Sequence, residues 1–263
     1  MAALDSASAD PYFASMSSAT SGSAAKAALA GVRFEGGVRI LGMELAPRLT
    51  SGEQRALTYW VRRLPGSFAE RLPRLKLAAA DELRLVQGRV VVNKTPQGSA
   101  VGPEDRLHAA SFIPERYLVL HRQLFRRRVE LGRILYHELC HFLWPRLGNP
   151  ARKSYEELVR AEFRRGVRGE LGYSSEWRKA KLRAGGGRIP RQKRLWREYV
   201  CESFCDTASY VLLGAERRAG HSEYTLSRAA RERRRRWMEE WGMGKSQEEV
   251  QVPRRFAPRD DPR

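Results

Sequence analysis

One short motif, H-E-x-x-H at residues 137–141, constrains this chain more than any other feature. On an α-helix His137 and His141 lie four residues apart, so their imidazoles project from the same face, one turn above the other. Such a pair of imidazoles can bind one Zn²⁺, and Glu138 is well placed to act on a water beside the metal. A catalytic zinc also needs a third protein ligand and an open position. The motif therefore predicts a helical metal site whose third ligand comes from elsewhere in the chain.

The residues around the motif predict a strand followed by a long helix. Residues 116–121 are aromatic and branched, which is typical of a strand. Apolar residues then continue at helical spacing from about residue 126 to 147, and Gly148, Asn149 and Pro150 close the segment. We expect the strand to form the edge of a small sheet, and the histidine face of the helix to line a cleft.

A second apolar segment, residues 195–213, predicts another helix, with Gly214 at a plausible C-cap. This segment carries three acids at a spacing of four, Glu198, Glu202 and Asp206. Carboxylates on a largely apolar helix are costly to bury unless they are paired or bind a metal. The pattern therefore favours a paired or metal-bound carboxylate on this helix.

Together the two segments resemble a known class of enzymes. His137-Glu138-x-x-His141 followed by Glu202-x-x-x-Asp206 is similar to the gluzincin pattern of thermolysin-like zinc metallopeptidases. The second helix also resembles the glutamate helix of ImmA/IrrE-type intracellular zinc peptidases, through Glu202, Cys205, Asp206, Ala208, Ser209, Leu212 and Leu213. The resemblance covers these two helices and the strand before the first.

This resemblance implies an α+β, zincin-like metallopeptidase domain with a small sheet, an active-site helix and a mostly helical C-terminal part. It implies that His137, His141 and Glu202, rather than Glu198, bind Zn²⁺. Glu138 would then be the catalytic base, and Asp206 would accept a hydrogen bond from the outer nitrogen of a metal-bound histidine. The expected substrate is a protein or a peptide.

The three cysteines leave a rival metal site open. Cys140 lies inside the motif and is interpreted as a small core residue. Cys201 and Cys205 lie four residues apart, and with the histidines they could form a thiolate-rich site. We expect Glu202 to lie on a different helix face from both cysteines, so that the two arrangements exclude each other. An odd number of cysteines near one site does not suggest a disulfide framework and favours a reducing compartment.

Three residues of the C-terminal part, Tyr210, His221 and Tyr224, are candidates for polarising a substrate carbonyl. Judged on residue type and position, a structural role is the more common one for each of them.

The chain is strongly basic, with 49 Lys and Arg against 30 Asp and Glu and a net charge of +19. This charge is consistent with a polyanionic partner such as nucleic acid, or with surface solubility. Much of it lies in residues 151–195, which we interpret as an insertion bordering the cleft; a solvated linker is the alternative. The arginines of residues 231–236, with Trp237 and Trp241, offer a second basic surface. A nucleic-acid-associated or non-catalytic zincin-like binding module is therefore the alternative to an enzyme.

The predicted domain covers residues 31–243. Residues 1–30, rich in Ala, Ser and Gly, and residues 244–263, rich in Pro and charge, are predicted to be disordered tails. No stretch approaches the roughly 20 apolar residues of a membrane span, and the N-terminus lacks the features of a signal peptide. We therefore expect a cytoplasmic protein without membrane contact. The sequence does not indicate an oligomeric state.

Overall fold

The chain folds as an α+β protein with a mixed sheet, a separate hairpin and several helices. The computed structural model describes residues 15–17, 38–46, 48–86, 89–92, 106–214, 222 and 224–243. The helices are α1 (Ser51–Val61), α2 (Gly66–Ala69), α3 (Arg128–Leu143), α4 (Asn149–Arg164), α5 (Tyr173–Ala184), α6 (Lys193–Leu213) and α7 (Arg228–Glu240). The strands are β1 (Ser15–Ser17), β2 (Arg39–Ile40), β3 (Met43–Leu45), β4 (Leu75–Ala80), β5 (Leu83–Val86), β6 (Arg89–Val92), β7 (Ala109–Phe112) and β8 (Tyr117–His121).

The main sheet has the strand order β1-β7-β8-β4-β3-β2, and β5 and β6 form a separate antiparallel hairpin. Strands β3, β4 and β8 run parallel, whereas β7 and β8 are antiparallel. The expectation that the strand before the H-E-x-x-H helix forms an edge is wrong, because β8 lies between β7 and β4. Its uninterrupted apolar run, Leu118 to Leu120, is buried, as is typical of an interior strand.

Helix α1 begins with a capping box. Its N-cap is Thr50, whose hydroxyl accepts a hydrogen bond from the backbone of Glu53, while the Glu53 carboxylate accepts one from the backbone of Thr50. The pairs Thr50–Glu53 and Ser51–Gln54 both match a capping box. The pair that forms the capping box is Thr50–Glu53, consistent with a carboxylate being favourable at a helix N-terminus.

The H-E-x-x-H helix, α3, is held in a fixed orientation by α1 and α6. A Cβ atom on Gly132 would lie 2.5 Å from the Trp60 ring, so only glycine allows this approach of α1. Tyr136 donates a hydrogen bond to the Trp60 carbonyl (2.9 Å), and Ser209 of α6 donates one to the Arg133 carbonyl (2.7 Å). Residues 131–143 of α3 are all buried. These contacts set the orientation of α3 about its axis, and with it the direction in which the two histidines project.

The basic segment, residues 151–195, is folded into α4 and α5 rather than forming a solvated linker. An ionic network anchors it to α7: fully buried Arg234 donates to Glu162 (2.9 Å) and to Glu170 (2.6 Å), and Lys179 donates to Glu170 (2.8 Å). Burial raises the pKa of Glu170, but Arg234 and Lys179 outweigh burial and lower it to about 2.

Several arginines of the α7 run pair with carboxylates of the chain itself. Arg233 pairs with Glu162, and Arg235 pairs with Glu232 and Glu239. Trp237 is buried, donates to Ser154 and stacks on Trp241 at 5.8 Å between ring centres. These contacts weaken the case for a nucleic-acid surface at residues 231–236.

The predicted disordered tails fall mostly outside the described residues. Within the first of them, Ser15–Ser17 pairs in parallel with β7. Among the helices that the structure describes, none is long and apolar enough to cross a membrane.

We predict that Glu170→Gln lowers the free energy of unfolding by about 3–5 kcal/mol at pH 7, because it leaves buried cations uncompensated. The folded-state pKa of Glu170 is depressed, so its stabilising effect is complete above the ordinary value of 4.5 and is lost as the pH falls toward about 2. Urea denaturation at several pH values should therefore show that the difference in the free energy of unfolding between the parent protein and the Glu170→Gln variant narrows below pH 4.5. Glu232→Gln, at an exposed ion pair, is the control and should change stability by less than about 1 kcal/mol. An equal loss in both variants would contradict the prediction.

Candidate metal centre

The structure brings three predicted ligands, His137, His141 and Glu202, into one cluster between α3 and α6. The Nε2 atoms of the histidines lie 3.1 Å apart, and Glu202 Oε2 lies 3.4 Å from His137 Nε2 and 3.8 Å from His141 Nε2. A tetrahedral ion with nitrogen and oxygen ligands at about 2.0–2.1 Å has ligand–ligand distances of about 3.3 Å. The three atoms therefore fit a single metal ion.

The environment of Glu202 also favours a cation. Its Oε2 atom is buried and accepts no hydrogen bond from the residues that the structure describes, which is unusual for a carboxylate oxygen. Burial raises the pKa of Glu202, but His141, His137 and Arg178 outweigh burial and lower it to about 2. The carboxylate is therefore ionised, and its unpaired oxygen faces the two imidazoles.

Asp206, one turn further along α6, holds His137 from behind. His137 Nδ1 and Asp206 Oδ1 lie 2.8 Å apart, so the imidazole donates from Nδ1 and directs Nε2 toward Glu202. Burial lowers the pKa of His137, but Asp206 and Glu202 outweigh burial and raise it well above its usual value. This is the arrangement expected for a carboxylate that orients a metal ligand.

Helix α5 and its N-cap residue, Gly172, supply three contacts that the sequence did not reveal. Ser175 donates a hydrogen bond to Asp206 Oδ2 (2.5 Å), and the guanidinium of Arg178 lies 3.4 Å from Glu202 Oε1. Gly172 packs directly on the Asp206 carboxylate, where a Cβ atom would lie 2.3 Å from Oδ1. No motif separates these residues from the other polar residues of the basic segment. Their role depends on how α5 packs on α6.

The proposed base, Glu138, is fully buried on α3 and is held by the sheet. Ser111, on β7, donates a hydrogen bond to Glu138 Oε2 at 2.5 Å. The serine lies in a short strand without a recognisable motif, so no sequence pattern connects it with the helix. The hydrogen bond holds the Glu138 carboxylate on the side of α3 that faces β7.

The remaining candidates lie away from the cluster or outside the described residues. Glu198 has a side chain that is 42% exposed, and it lies 3.4 Å from Arg194. Tyr210 and Tyr224 pack edge to face on each other, with ring centres 5.1 Å apart, beside a small apolar cluster. His221 lies outside the described residues.

The expectation that the cysteines and Glu202 exclude each other is wrong. His141 Nδ1 lies 3.5 Å from Cys205 Sγ and 3.8 Å from Cys201 Sγ, while His141 Nε2 faces Glu202. An imidazole has two nitrogens that point in different directions, so one ring contacts both groups. A hydrogen bond from Cys205, together with His141, outweighs burial and lowers the pKa of Cys201 below its usual value. Cys140 is buried in the core, as expected.

Comparison of the chain with protein-family models, curated proteins and solved structures found no match. Fold and site alone therefore define the class. This is an α+β protein with a possible metal-binding cluster of two histidines and a glutamate, buried between two helices.

We predict that Gly172→Ala weakens metal binding by about 10–100-fold, because the added methyl group displaces Asp206 from His137. The measurement is Zn²⁺ affinity by competition with a chromophoric chelator. Gly66→Ala is the matched control, since a Cβ atom there meets nothing within 4 Å. Unchanged zinc affinity in the Gly172 variant would show that Asp206 does not support the site.

Proposed function

We propose that this protein is a zinc-dependent metallopeptidase that hydrolyses peptide bonds in proteins or peptides. The carrying observation is the triangle formed by His137 Nε2, His141 Nε2 and Glu202 Oε2, three ligand atoms close enough to share one ion. Two imidazoles and one carboxylate are the donor set of many catalytic zinc sites, which keep a fourth position open. The donor set alone is also compatible with other divalent ions, and zinc is favoured by the presence of Glu138 next to His137.

In this proposal, residues of the chain bind the ion, transfer a proton, and orient the two side chains that do so, His137 and Glu138. Zinc, when bound, would lower the pKa of a water and polarise the scissile carbonyl. Glu138 accepts a proton from the attacking water and returns it to the leaving amine. Ser111 orients Glu138 for this transfer, and Asp206 keeps His137 in the tautomer that presents Nε2. Arg178 offsets the negative charge of Glu202 from its outer side.

We predict that Glu138→Gln keeps zinc and reduces peptide cleavage by about 10²–10⁴-fold, the usual contribution of a general base. Glu202→Gln should lose both zinc and cleavage. Zinc content measured by atomic emission, and cleavage of a peptide library followed by mass spectrometry, test both variants. Glu198→Gln, an exposed acid on the same helix, is the matched control and should behave as the parent protein. Parental activity in the Glu138 variant would exclude the mechanism.

A basic groove supports a second candidate function, the binding of nucleic acid. It lies between the end of α4 and residues 187–191, has a volume of about 560 Å³, and is lined by Arg160, Phe163, Arg164, Arg188, Ile189 and Arg191. Glu156 pairs with Arg160, but Arg164, Arg188 and Arg191 are exposed. Guanidinium groups converging on one groove suit a phosphate backbone. The groove is a better candidate surface than the arginine run of α7.

We predict that changing Arg188 and Arg191 together to Gln weakens binding to a fluorescein-labelled DNA duplex and lowers the magnitude of the salt slope by about 2, one for each lost phosphate contact. Fluorescence anisotropy at several salt concentrations measures both quantities. Arg55→Gln, an exposed arginine of α1, is the control and should change neither quantity. Absence of DNA binding by the parent protein even at low salt would remove this candidate.

A further inference from the structure

We propose that Cys201, Cys205 and the Nδ1 atom of His141 form a second site for a thiophilic divalent metal ion, and that the two sites share the His141 ring. The first site uses His141 Nε2, and the second uses the opposite side of the same imidazole. This inference goes beyond the proposed peptidase activity, since it makes no use of peptide hydrolysis.

The distances fit a tetrahedral ion. With Zn–S at about 2.3 Å and Zn–N at about 2.0–2.1 Å, the distance between a nitrogen and a sulfur ligand is about 3.6 Å. The distances from His141 Nδ1 are 3.5 Å to Cys205 Sγ and 3.8 Å to Cys201 Sγ. All three ligand atoms lie within 4.8 Å of one another. The two cysteines are four residues apart on α6, so their sulfurs lie on the same side of the helix.

The surroundings allow entry and select the kind of ion. Cys205 and His141 are buried, whereas Cys201 is partly exposed, so solvent reaches the site from one side. That side offers a path for the ion and a place for a fourth ligand such as water. Two thiolates and an imidazole favour zinc or cadmium over magnesium or calcium.

The charges also balance when both sites are filled. Two divalent ions bring four positive charges, and two thiolates, the Glu202 carboxylate and a bridging imidazolate bring four negative ones. The two thiol protons and the second imidazole proton are released to solvent on binding. The two ions and their direct ligands together then carry no net charge, so metal binding adds no uncompensated charge to the interior.

The test is a titration of the metal-free, reduced full-length protein with Co²⁺ and with Zn²⁺. We expect two ions per chain and a thiolate-to-cobalt charge-transfer band in the near ultraviolet. Cys201→Ser and Cys205→Ser should each bind one ion and lose the band. Cys140→Ala is the matched control, because that cysteine lies outside the cluster, and it should keep both ions and the band. Glu202→Gln should keep the band while losing the other ion, which separates the two sites.

One ion per chain and no charge-transfer band in the parent protein would overturn the proposal, and so would a band that survives the loss of both cysteines. Circular dichroism shows whether each variant folds. If the serine variants do not fold, alkylation of the parent protein decides: Zn²⁺ should protect Cys201 from iodoacetamide, and an unchanged alkylation rate would overturn the proposal. These readouts do not depend on cleavage, so an inactive protein with two ions would refute only the peptidase.

Discussion

The contact between His137 and Asp206 connects the two helices on which the site depends. It joins α3 and α6 at 2.8 Å in a region where both side chains are almost fully buried. Burying the carboxylates of Asp206 and Glu202 costs several kcal/mol per ion unless other groups compensate. An apolar interface between these helices would hold them together at less cost. The buried carboxylates of α6 therefore depend on the polar partners that α3 and α5 supply.

The basic segment supports this contact from outside. Its buried ion network ties α4, α5 and α7 together through Arg234, Glu162, Glu170 and Lys179. This holds α5 against α6, so that Ser175 and Arg178 reach the carboxylates of the metal cluster. A segment that looks like an insertion in the chain is therefore part of the wall of the site. The strong basic charge of the segment serves partly to neutralise acids within the fold.

Local sequence patterns predicted the parts of the site that lie on single helices. The spacing of His137 and His141 and that of Glu202 and Asp206 set which side chains share a face, and no tertiary information was needed for that. Contacts made across the sheet and across α5, such as those of Ser111 and Gly172, depend on long-range packing that leaves no short pattern. The prediction that β8 forms an edge is wrong, although the apolar run Leu118 to Leu120 is itself typical of an interior strand.

The Nδ1 atoms of the two histidines contact different chemical groups. Behind His137 is a carboxylate, a strong acceptor that fixes the tautomer and makes the imidazole a better donor. Behind His141 are two sulfurs, which are weak acceptors but strong metal ligands. The carboxylate is itself held by Ser175 and by the close approach of Gly172, so His137 has one available arrangement. His141 instead contacts sulfur through Nδ1 and faces Glu202 through Nε2, so its ring is the group that the two proposed metal sites would share.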